Sequence, residues 1–267
     1  MSDNLRDYIC IDRVAYLNEL AIHLDCHGYH EDALRSFNDA LHFLWTFNTS
    51  KGGVNHDHQE TYVHEHSVNL IFDESKALES IAIEQAISIR DLLANHRQTT
   101  LGEEIIVASL IYNTALSHFR HGSSRKAEEL LNTAFNLFID DSSSDSKPEL
   151  PVCPTSAKIF LVSIHLLGMV QVSRSRENGL ILNEHSSLLA RGIESLLTAC
   201  SSAKSLLGPD HKMVASLLSS IGHVLSSEGF PNEASVAFEE ASKIYLKQAL
   251  DIGTSKAKEK MQCSPAA

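Results

Sequence analysis

Apolar residues recur every three or four positions along most of the chain, the spacing that gathers side chains on one face of a helix. Three segments repeat this pattern without gaps. The first reads Leu17-x2-Leu20-Ala21-x6-Gly28-x4-Ala33-x3-Phe37-x2-Ala40. The second reads Ile111-x2-Thr114-Ala115-x6-Gly122-x4-Ala127-x3-Leu131-x2-Ala134, and the third Leu218-x2-Ile221-Gly222-x6-Gly229-x4-Ala234-x3-Phe238-x2-Ala241. Each predicts a first helix, a break at the glycine and a second helix. Gly28, Gly122 and Gly229 stand where the first helix must stop, because glycine accepts a left-handed C-cap without a Cβ penalty. The second helix is expected to begin near Glu31, Ser124 or Pro231. Pro231 suits a first helical turn, where its missing N–H costs nothing. Ala21, Ala115 and Gly222 keep the first helix narrow enough for the second to approach.

These residues resemble the tetratricopeptide-repeat (TPR) pattern of helix–turn–helix units about 34 residues long. The clear repeats lie near 14–47, 108–141 and 215–248. The third has a lead-in, Leu207-Gly208-Pro209-Asp210-His211 followed by Val214-Ala215, that is similar to the linkers of kinesin-light-chain-like TPR proteins. Lys212 stands where that family usually has proline. The resemblance implies an all-α fold, a right-handed α-solenoid of about four to five antiparallel helix pairs with irregular insertions. It implies a single repeat domain over residues 1–253, followed by a flexible tail over 254–267.

Two units are degenerate. In 155–208, Ile164, Leu167 and Gly168 match first-helix positions, and Gly192, Leu196 and Ala199 match second-helix positions. Gly168 and Gly192 are about twice as far apart as the repeat requires, so an insertion is expected to loop out near Ser173 to Ser186. In 61–99, residues 74–97 read as one long amphipathic helix through Ala77, Leu78, Ile81, Ala82, Ala86, Ile89 and Leu93. Its partner is replaced by a Gly-, His- and Asn-rich stretch, Asn48 to Phe72. There Tyr62, His64, His66, Val68, Leu70 and Phe72 alternate with other residues, as in an extended strand or a packed loop. Asp140 to Pro154, with Pro148 and Pro151, predicts a mobile linker.

Composition narrows the function. The chain has 267 residues and a formal charge of −12, so it does not favour nucleic-acid backbones. Residues 1–50 carry eight acids and three bases, whereas Lys243 to Lys260 carries five bases and two acids, as a solvated helix end would. The five cysteines include no CxxC pair, and an odd count fits a reducing compartment, cytosol or nucleoplasm. The stretch Ile159 to Val172 is broken by Ser163, His165 and Gln171 and reads as too short and too polar to span a bilayer.

No catalytic pattern stands out. GxSxG, GxxxxGK[ST] and GxGxxG are all absent. Glu103-Glu104 and Glu239-Glu240 are adjacent residues that face different directions on a helix. Neither an enzyme nor a cofactor is expected. The sharpest chemical cluster is His56, His58, His64 and His66. Imidazoles two apart on a strand share a face, so this segment carries the alternative reading, a metal or small-ligand site.

The TPR resemblance implies a groove lined by the first helices. By its register the lining includes Asn18, Glu19, Ile22, Asp25, Tyr112, Asn113, Leu116, Arg120, His165, Ser220 and His223, with Met169, Ser219 and Ser227 beside them. Asn113 matches one position of the carboxylate clamp of chaperone-binding relatives. Asn18 and Ile22 stand where that clamp needs other residues, so no clamp is expected. Glu19 and Asp25 point instead to a neutral or basic peptide. The expected function is a non-catalytic adaptor that holds a peptide or partner protein, with no nucleic acid and no membrane as partner.

Overall fold

The computed structural model describes residues 3–51, 85–95, 103–137, 154–177 and 182–262. Among the described residues the chain is all-α and no strand is present. Its helices are α1 (Asp3–Cys26), α2 (His30–Lys51), α3 (Ile89–Asn95), α4 (Glu103–Arg120), α5 (Ser124–Asn136), α6 (Pro154–Ser175), α7 (Leu182–Leu207), α8 (Lys212–Ser227) and α9 (Pro231–Gln262). The chain divides into two compact units, Met1–Ile159 and Phe160–Ala267.

Three helix pairs share one turn. Gly28, Gly122 and Gly229 have φ of 83°, 78° and 85°. After each, the next amide reaches back five residues: Tyr29 N–H donates to Leu24 O, Ser123 N–H to His118 O and Phe230 N–H to Leu225 O, at 2.9, 2.8 and 2.8 Å. Each glycine amide also donates to the carbonyl three residues before it, at 3.1, 3.1 and 3.4 Å. These are Schellman caps, in which a left-handed residue lets two amides satisfy carbonyls that the helix end would orphan. The sequence predicts the break at these glycines for the same reason.

In the first unit, α1 packs on α2 and α4 packs on α5, while α2 and α1 both touch α4. Ala21, Ala33, Phe37 and Ala40 are fully or almost fully buried along the α1–α2 seam. Ala115, Ala127, Leu131 and Ala134 repeat that core along α4–α5. Burying one such large apolar side chain contributes roughly 1.5–3 kcal/mol.

The second unit holds most of α6 with α7, α8 and α9. Here α6 and α7 cross glycine on glycine. A Cβ on Gly168 would stand 2.8 Å from Gly192 O, and one on Gly192 would stand 2.9 Å from Gly168 O. At the α8–α9 seam, a Cβ on Gly222 would meet Phe238 Cε1 at 2.7 Å. The larger side chain across from Gly222 fills the space that the glycine leaves. Ion pairs link elements of this unit: Arg176 to Glu228 at 2.6 Å and Lys204 to Glu240 at 2.6 Å. His211 caps α8, its ring accepting from the Met213 amide at 3.1 Å.

Five sequence expectations are corrected. The expected helix over 74–97 is broken: Gln85 to Ser88 are not helical and α3 starts at Ile89, while 74–84 and 96–97 lie outside the described residues. Ser88 Oγ accepts the Asp91 amide at 3.0 Å and so caps α3. The expected insertion near Ser173 to Ser186 is helical at both ends, because α6 runs to Ser175 and α7 begins at Leu182; Arg176 and Glu177 are not helical, and 178–181 lie outside the described residues. Extra helical turns satisfy their own backbone groups, which a long loop does not. Pro154, read as part of a linker, opens α6 at a position where proline loses no helical bond. The tail expected from 254 is helical as far as Gln262. Finally, Thr155–Ser175 is long and apolar enough to cross a membrane by length and composition, with a mean hydropathy of 1.5. Inside the protein, 94% of that window is buried, the setting of a core helix.

Candidate functional site

Two clusters in the first unit gather the polar residues that the sequence places on first helices. The first surrounds the break at Gln85 to Ser88. Ile87 is buried and outside any helix, so it needs partners for both of its backbone groups. Asn113 supplies both at once. Its Oδ1 accepts the Ile87 amide at 2.7 Å, and its Nδ2 donates to Ile87 O at 2.8 Å. Asn18 Nδ2 donates to the same carbonyl at 3.0 Å, and Asn113 Nδ2 also donates to Asn18 Oδ1 at 2.8 Å. The two asparagines, from α1 and α4, therefore hold both backbone polar groups of one residue, Ile87. A side-chain amide is suited to this, since it carries a donor and an acceptor in one plane.

The second cluster lies at the turns that end α1 and α4. Ser117 Oγ donates to Asp25 Oδ1 at 2.5 Å, and His121 Nε2 lies 3.2 Å from the same oxygen. His30 Nδ1 is 3.5 Å from Asp25 Oδ1 and 3.0 Å from Ser117 Oγ. Arg120 reaches the other oxygen, Oδ2, at 3.5 Å. The His30 and His121 rings stack with centroids 3.7 Å apart, and His118 meets His30 edge-on at 5.9 Å. Burial alone pushes the Asp25 carboxyl upward. The Ser117 and His30 hydrogen bonds, with the charges of His121 and Arg120, outweigh it and hold Asp25 below the usual carboxylate value. Burial lowers His118, helped by Lys126 and its two histidine neighbours.

The residues expected to line a groove differ in exposure. Asn18, Tyr112, Asn113, Leu116 and His165 are buried, so they are corrected from groove-lining to interior positions. For Asn18 and Asn113 the reason is Ile87, which occupies the space between them. Glu19, Ile22 and Ser220 are half-buried, with Met169 and Ser219 like them, while Arg120, His223 and Ser227 are exposed. Asp25 is turned into the histidine cluster, its side chain only 6% exposed. His223 stands edge-on to Phe238 at 5.0 Å.

His165 is fully buried, and among the described residues neither ring nitrogen has a hydrogen-bond partner. Burial drives it from its ordinary 6.5 to about 4. The histidines singled out from the sequence, His56, His58, His64 and His66, lie outside the described residues. Sequence reasoning missed His30, Ser117, His118 and His121. Their only signal was position: each falls within a few residues of a repeat glycine, Gly28 or Gly122. No protein-family model, no curated protein and no solved structure matches this chain.

Proposed function

We propose that the chain is a non-catalytic scaffold of TPR type, which holds an extended segment of a partner protein against the first helices of its pairs. The grip of Asn113 and Asn18 on Ile87 carries this reading. It reads a peptide backbone through its N–H and C=O together, which is how a groove takes extended peptides of varied sequence. The recurrence of one Schellman turn at Gly28, Gly122 and Gly229 supports the repeat architecture that such grooves belong to. Glu19, half-buried on α1, favours a neutral or basic segment. In the first unit the partner competes with the chain's own residue 87, which is tethered and so present at high effective concentration.

The test uses a fluorescently labelled peptide of residues 83–92 and the full chain. Ile87→Asp places a charge where the buried side chain sits and frees the two asparagines. That variant is expected to bind the labelled peptide at least about tenfold more tightly than the unaltered chain does. Adding Asn113→Ala to it abolishes the gain. Equal binding with and without Asn113, in chains of matching circular dichroism, rejects the groove.

A further inference from the structure

We propose that Asp25, His30 and His121 form a binding site for one divalent transition-metal ion of the zinc type, which ties the first helix pair to the second. The site uses none of the residues that hold Ile87, so it stands apart from the peptide-binding reading.

The donor set comes first. Two imidazoles and one carboxylate suit a borderline ion such as zinc, whereas magnesium and calcium take oxygen donors almost alone. The spacing fits as well. With metal–ligand bonds of about 2.0–2.1 Å, the edge of a coordination tetrahedron is roughly 3.3 Å. Asp25 Oδ1 lies 3.2 Å from His121 Nε2 and 3.5 Å from His30 Nδ1. All three ligand atoms fall within 4.8 Å of one another. Coordination then requires the two stacked rings to fan apart from their 3.7 Å separation, a rotation about side-chain bonds that leaves the helices in place.

The surroundings orient the carboxylate. Oδ1 faces the histidines and the Ser117 hydroxyl, while Oδ2 faces Arg120. A ligating carboxylate held on its other oxygen by a hydrogen-bond donor is a common support for metal sites. Arg120 and His121 are 38% and 33% exposed, so the ion has a path in and a water can complete its shell. A bare ion pair needs only one cation, and Arg120 already supplies it. The two imidazoles set against the same carboxylate, His30 and His121, go beyond that need. A third, His118, packs edge-on against His30 and keeps a buried Nδ1 with no hydrogen-bond partner among the described residues.

The experiment titrates zinc chloride into the metal-stripped full chain by calorimetry, in a buffer that does not chelate. His56→Ala, His58→Ala, His64→Ala and His66→Ala are introduced together first, to remove the other histidine-rich segment. That background is expected to retain one equivalent of zinc. Adding His30→Ala and His121→Ala is expected to weaken binding by at least about 100-fold, since changes to supporting groups alone cost 10- to 100-fold. His121→Gln, at a partly exposed position, gives the same loss in a chain whose fold it leaves intact. Cobalt(II) in place of zinc is expected to give the visible absorption of a tetrahedral site in the background chain and to lose it in His121→Gln. The proposal is overturned if the background binds no zinc, or if it binds zinc equally well without His30 and His121.

Discussion

Replacing His165 with leucine should change how stability depends on pH more than it changes stability at neutrality. His165 is fully buried and its two ring nitrogens have no partner among the described residues, so its protonated form is strongly disfavoured in the folded chain. The folded value is about 4 and the ordinary value 6.5. Between those limits the unfolded chain holds a proton that the folded chain lacks, so stability falls as pH falls from 6.5 to 4. Above 6.5 both states are neutral and the group contributes no slope. Each pH unit of difference is worth about 1.4 kcal/mol, so the fall from 6.5 to about 4 corresponds to about 3 kcal/mol. Urea denaturation followed by circular dichroism, at half-unit steps from pH 7.5 to 4, measures it in the unaltered chain and in His165→Leu. All other titrating groups are common to both, so the difference between the two curves isolates His165. At pH 7 leucine is expected to be within about 2 kcal/mol of the original, because it removes an unpaired polar group while changing the shape of the site. By pH 4 the variant should have gained about 3 kcal/mol relative to the original. A difference that stays constant across this range would falsify the reasoning.

Other consequences follow from single contacts. Asn113→Ala leaves the buried Ile87 amide without its acceptor and should cost about 1–3 kcal/mol. Hydrogen exchange should show the Ile87 amide losing protection; unchanged exchange there would mean the asparagine does not hold it. Gly168→Ala and Gly222→Ala separate two kinds of crowding. The first drives a Cβ into the Gly192 carbonyl, which is backbone, and should cost about 1–3 kcal/mol despite alanine's better helix propensity. The second meets only the Phe238 ring, which can swing aside, and should cost less; the reverse order in thermal melts contradicts the packing argument. Gly28→Ala meets nothing within 4 Å and should cost about 1–2 kcal/mol through left-handed backbone strain alone.

What the sequence settles here is local. The three pairs α1–α2, α4–α5 and α8–α9, with their stops at Gly28, Gly122 and Gly229, were legible because a helix and its cap depend on residues within about five positions. Gly168 and Gly192 were legible as small helix positions, although the insertion expected near Ser173 to Ser186 is helical at both ends. Tertiary structure decided the rest. Asn113 meets Ile87 across 26 residues, and Asp25 meets His121 across 96. Nothing in the spacing of either pair encodes the contact, which exists only once α1 and α4 lie side by side. That is also why Asn18 and Asn113, polar residues on first helices, were read as lining a groove and instead are buried around a backbone. A polar side chain goes inside only where a partner for its donors and acceptors is waiting, and that partner is chosen by packing.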